Sequence, residues 1–118
     1  MSQYVETATK TFTAGAAISK HILVYLSSEV LQVAGLATQP IGTTENATFA
    51  SGDLVSVRLL SAQGTIQCVA SGTFSQGALV YGRADGKIDD ISTSSAVKIG
   101  MALEAATASG DIIEVLPL

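Results

Sequence analysis

Short apolar runs, broken about every ten residues by Gly- or Ser-rich segments, set the rhythm of this chain. Within two of the runs the alternation is regular. Val55, Val57 and Leu59 interleave with Ser56 and Arg58, and Ile113 and Val115 with Glu114. A period of two places the first set inside and the second in solvent, the signature of strands, and the frequency of Thr, Val and Ile agrees. Ser-Gly-Asp before both runs supplies a turn, because Gly tolerates positive φ and Asp can bond nearby backbone. Asp85-Gly86, between Tyr81 and Ile88, predicts a hairpin with a type I′ turn. Gly42 and Gly100 fall inside extended segments, where a bulge or a close backbone approach is the usual reason. Ala102 to Ala108 is Ala-rich but remains loop or strand, since its counterpart Thr44 to Ala50 lacks helical character. The pattern predicts an all-β chain of eight to ten strands.

The counterpart exists because the chain repeats itself. Pro40 to Leu60 aligns without gaps to Lys98 to Leu118, with nine of 21 positions identical, among them Ile41/Ile99, Gly42/Gly100, Gly52/Gly110, Asp53/Asp111 and Val57/Val115. Upstream, Ala17 to Tyr25 matches Thr73 to Tyr81 at a spacing of 56 instead of 58. That change of spacing places two extra residues in the loop after Tyr81. The 118 residues read as a single β domain of two similar halves, about 1–60 and 61–118. Two copies are too few for a solenoid, so a compact β-barrel or β-sandwich with an extended N-terminal arm is expected.

Composition narrows the function. Charged residues are only 14% of the chain and hydrophobic ones 47%, which suits a packed core and not disorder. A net charge of −4 with six Lys and Arg supplies no basic face for nucleic acid. The longest apolar run, Ile22 to Leu26, is far short of the ~20 residues of a membrane span. Met1 to Thr13 does not read as a signal peptide. A lone Cys68 excludes an internal disulfide, and with a lone His21 it leaves no soft-ligand metal cluster.

Each candidate for chemistry has a plainer explanation. Nucleophilic catalysis needs a base beside the nucleophile, and only His21, two residues from Ser19, is available. His21 aligns with Gly77, so a turn with positive φ explains it better. Ser75-Gln76-Gly77 lacks the glycine of a nucleophile elbow, and Ser95 to Lys98 lacks the helix and companion motifs of Ser-x-x-Lys enzymes. Asp85, Asp89 and Asp90 form the densest acidic cluster, but their spacing matches no calcium loop, and an acidic hairpin accounts for them. Asn46-Ala47-Thr48 is a glycosylation sequon in form only. Cys68 aligns with Phe12 and reads as a small buried hydrophobe. No enzyme and no cofactor is indicated.

Surface character remains. Leu54, Ile112, Leu116 and Leu118 fall on the face opposite the expected core, three of them in the C-terminal strand, and point to contact with another subunit. Coverage of both faces within one chain is the alternative. The arm, with Tyr4, Val5 and Thr7, has the character of a segment that adds to a partner's sheet edge. Thr9 to Thr13 has a repeat counterpart in Thr65 to Val69 and is expected to pair within its own half.

Several of these segments together resemble the capsid cement, or head decoration, proteins of tailed bacteriophages. They are Tyr4-Val5-Glu6, Pro40-Ile41-Gly42, the Ala-Ser-Gly-Asp turn into Leu54 to Leu59, Gly77 to Tyr81, and the tail from Ile99 through Ala106 and Gly110 to Val115. Lys20-His21 departs from the glycine turn usual in such sequences. The resemblance implies a β-rich structural virion protein, assembled in the host cytoplasm, that binds the outer surface of the head. Its implied partner is the major capsid protein, whose subunits a homotrimer bridges and stabilises. A ligand- or carbohydrate-binding β module on a virion or cell surface is the alternative function, disfavoured by the absence of Trp and the presence of only three Tyr.

Overall fold

The computed structural model describes residues 9–60, 64–93 and 95–118. They form ten strands and, among the described residues, no helix. The first half contains β1 (Thr9–Thr13), β2 (Leu23–Ser27), β3 (Val30–Val33), β4 (Gly42–Thr44) and β5 (Leu54–Leu59). The second contains β6 (Ile66–Val69), β7 (Leu79–Gly82), β8 (Ile88–Asp89), β9 (Lys98–Ala102) and β10 (Ile112–Pro117). The sheet orders are β1-β5-β4-β2-β3 and β6-β10-β9-β7-β8, the same topology written twice. Named pairings are antiparallel, and Thr9 to Thr13 pairs with Arg58 to Leu54 of its own half, as expected. Each sheet then curls on itself. Parallel bridges from Ala14 to Leu31 and from Ala70 to Ile88 bring the first strand of each half against its third.

The alternation decides what lies inside. Val55 and Val57 of β5 are buried in one core with Ala14, Ile18, Ile22, Val24 and Leu31. Ile113 and Val115 of β10 are buried in the other, with Ile66, Cys68, Val80, Ile88 and Ile99. The fold is all-β and built from two similar halves, and each half makes its own sheet and core. The halves meet closely. Leu23 and Ala34 of the first belong to the second core, and the Leu23 N–H donates to the Gly86 carbonyl at 2.9 Å.

Local details follow the sequence with two corrections. Gly42 and Gly100 are sites of close approach: a Cβ on either would run into the backbone carbonyl oxygen of Arg58 or Leu116 on the neighbouring strand. The Asp85-Gly86 hairpin forms, but only Gly86 has positive φ (76°). The Gly86 N–H donates to Arg83 O and the Arg83 N–H to Lys87 O, which makes a type I turn closed by a left-handed glycine. The longer loop leaves Asp85 without the positive φ that a type I′ turn requires. Two successive positive φ values, those of a type I′ turn, occur instead at Ser28 (52°) and Glu29 (70°), between β2 and β3.

The two extra residues of the second half are also divided. Tyr25 pairs with Gln32 and Tyr81 with Asp89, while Leu26 pairs with Leu31 and Gly82 with Ile88. The spacing is therefore already 57 in β8, so one extra residue lies in the hairpin and the other between β8 and β9.

Since the Leu116 carbonyl is fixed by the sheet, Gly100→Ala has no soft neighbour to displace. Chemical denaturation is expected to show a loss of about 1–3 kcal/mol, and Gly42→Ala should behave alike in the other half.

Candidate interaction surface

A polar groove of about 410 Å³ runs between the halves, lined among others by His21, Glu45 and Arg58 from the first and Thr65, Glu104 and Glu114 from the second. Its residues are bonded to one another. Arg58 Nε donates to the Thr65 carbonyl at 3.1 Å, Thr65 Oγ1 donates to Glu114 Oε2 at 2.7 Å, and the Glu114 N–H donates to Glu104 Oε1 at 2.8 Å. His21 has φ 63° against 87° for its counterpart Gly77, so the turn explanation holds. Both backbone N–H groups donate at 2.8 Å to the next layer, His21 to Thr44 O and Gly77 to Ala102 O. Burial and the nearby Lys20 lower the pKa of the imidazole, against a smaller opposing pull from Glu45. Among the described residues no hydrogen bond joins the imidazole to a serine.

The acidic cluster does not converge. Asp89 is buried and accepts hydrogen bonds from Ser71 Oγ and the Asp90 N–H. Asp85 is exposed and lies 3.8 Å from the Lys87 ammonium. Among the described residues no group of three His, Cys, Asp or Glu is placed to hold a metal ion. Cys68 is buried, and burial pushes its thiol up to about 12, which leaves negligible thiolate near neutral pH.

The outward-facing apolar residues are where the sequence puts them. Leu54, Ile112, Leu116 and Leu118 are all exposed among the described residues. Tyr4, Val5 and Thr7 lie outside the described residues. Leu54 and Ile112 are repeat counterparts, each following an aspartate that ties down the preceding loop. Asp53 Oδ2 accepts from the N–H groups of Phe49 and Ala50, and Asp111 Oδ2 from Thr107 N–H, Thr107 Oγ1 and Ala108 N–H. Leu116 does not stand alone. It pairs with Met101 on β9, which pairs with Leu79 on β7, making one apolar row across three strands.

Leu79 and the highly exposed Phe49 escaped sequence reasoning. Leu79 was hidden because Val80 beside it is equally apolar, so alternation assigns no face. For Phe49, the polar counterpart Thr107 was an available signal.

The chain is similar over residues 2–117 to the family described as phage cement protein. It belongs to that family. No curated protein matches it. Among solved structures, the head fiber gp8.5 N base of bacteriophage phi29 is similar in fold, with a TM-score of 0.75 at 19% identity, over 93% of this chain and 92% of that one. The family match bears out the expected resemblance, and the solved structure shares the fold.

The Asp111 turn gives a pH test. Its hydrogen bonds, first those from Thr107, lower the carboxyl pKa in the folded state. Their stabilisation is present above the unfolded carboxylate pKa and is lost as pH falls through the lowered folded value. Stability followed by denaturation across this acid range should fall less steeply for Asp111→Asn than for the parent chain.

Proposed function

We propose that this protein binds the outside of the assembled phage head and stabilises the capsid by bridging major capsid subunits as a homotrimer. The observation that carries the reading is the cement-family match along nearly the whole chain. The physics supports it. DNA packed in a head pushes outward, and a clamp that binds only the closed shell stabilises that shell by mass action. A trimer engages several subunit joints at once, so modest contacts at each joint add through avidity. Such work requires shape complementarity and exposed apolar anchors instead of a reaction centre. Leu54 and Ile112 at equivalent turns, with Phe49 beside the first, offer such anchors, and the arm residues Tyr4, Val5 and Thr7 offer others. The acidic balance suits a position outside the shell, away from nucleic acid.

Purified protein mixed with expanded, undecorated heads of its own phage should cosediment and appear as regular arrays by electron microscopy. A double variant Phe49→Ser/Leu54→Ser should weaken that binding about tenfold or more. Failure of the parent protein to bind any capsid form would contradict the reading.

A further inference from the structure

A sheet has two faces, and in the first half the outer one is covered around Leu23, with Leu54 exposed at its far end. Val24, Val55 and Val57 point into that half's own core. The opposite face carries Leu23, Tyr25, Thr43, Arg58 and Leu60. Leu23 pairs with Thr43 and Thr43 with Arg58, so these three make one row across β2, β4 and β5. The second half sits on this face: Leu23 belongs to its core, Tyr25 and Leu60 pack against that core, and Arg58 bonds to Thr65.

The repeat carries the same face to Leu79, Tyr81, Met101, Leu116 and Leu118, with Leu79, Met101 and Leu116 in the same cross-strand register. Here it is open. Leu23 is 1% exposed, whereas Leu79 is 42%, Leu116 39% and Leu118 62% exposed. The open copy is also the more apolar one, with Met101 in place of Thr43 and Leu116 in place of Arg58. A face destined for water should differ in the other direction.

The complementary end is open as well. Ile99, in the core that receives Leu23, is buried, but its counterpart Ile41 beside the first core is only partly so. The second half grips the first through Gly86 O, which accepts from Leu23 N–H, and through Val97 N–H, which donates to Leu36 O. The first-half counterparts of these gripping segments, the Ser28-Glu29 turn and Gln39, are exposed.

We propose that the Leu79–Met101–Leu116 face docks the first half of a second copy of this chain, head to tail, so that halves of neighbouring copies follow one another as the two halves do within a chain. A contact of this kind joins different patches on the two copies and produces a finite assembly when its rotation closes a ring. Three copies would place six halves in one cycle. The proposal deepens the homotrimer of the reading above, on which it rests for that number. It is tested with no head present, so its failure and a failure of capsid binding are distinguishable.

Sedimentation velocity of the full chain should show a closed oligomer. Met101→Asp/Leu116→Asp puts two carboxylates on the open face, where docking of a second copy would bury them unpaired. It should weaken association about tenfold or more and yield a monomer with unchanged far-UV circular dichroism. Phe49→Ser, away from the row, should leave the oligomer intact. If the double variant loses its β signal, Leu118→Asp, beyond the last strand pairing, gives the same readout. A parent chain that stays monomeric at its highest soluble concentration would overturn the proposal, as would an oligomer that survives these face variants. Monomers that bind heads through this face would assign it to the capsid and overturn the second-copy occupant.

Discussion

The contact between the two halves is the constraint from which the rest of the molecule follows. Leu23 sits on the outward face of its own sheet yet lies within the core of the other half, a burial that contributes about 2 kcal/mol. Gly86 permits it. A Cβ there would strike the Ile22 and Val33 side chains, and the positive φ of the turn lets the Gly86 carbonyl take the Leu23 N–H. Along the neighbouring groove, the Arg58–Thr65–Glu114 bonds complete the junction with polar groups. The first half has its outer sheet face covered around Leu23 by the second half, whereas Leu79 and Leu116 on the corresponding face of the second half are exposed.

That contrast ties architecture to function. A repeat that presents a face for the next repeat is suited to holding molecules side by side, which agrees with the membership of this chain in the phage cement protein family. Among the described residues, three positions that the sequence offered for chemistry have structural roles. His21 closes a turn, Asp89 accepts hydrogen bonds from Ser71 and the Asp90 N–H, and Cys68 is held as an unreactive thiol.

Much of this was legible in the sequence. Alternation at Val55–Leu59 and Ile113–Val115 named the core face, and the repeat named both halves and the turn at His21. What it concealed has physical causes. A run such as Leu23-Val24 or Leu79-Val80 is apolar on both sides, so periodicity gives two buried faces without saying what covers each. The threonines were also silent. Thr44 and Thr48 are buried because their hydroxyls serve Ser19 O and Ile22 N–H, and Ala16 O and Ile18 N–H, yet their counterparts are the plain alanines Ala102 and Ala106. The tight turn at Ser28-Glu29 carries no glycine to announce it, since strand pairing on both sides holds its positive φ values in place.

In the function proposed above, this chain occupies joints in a shell, in numbers set by the shell. Quantitative mass spectrometry of intact, purified virions tests it most directly. A copy number comparable to that of the major head protein is expected. Absence of the chain from mature particles, or its presence in only a few copies, would contradict that function.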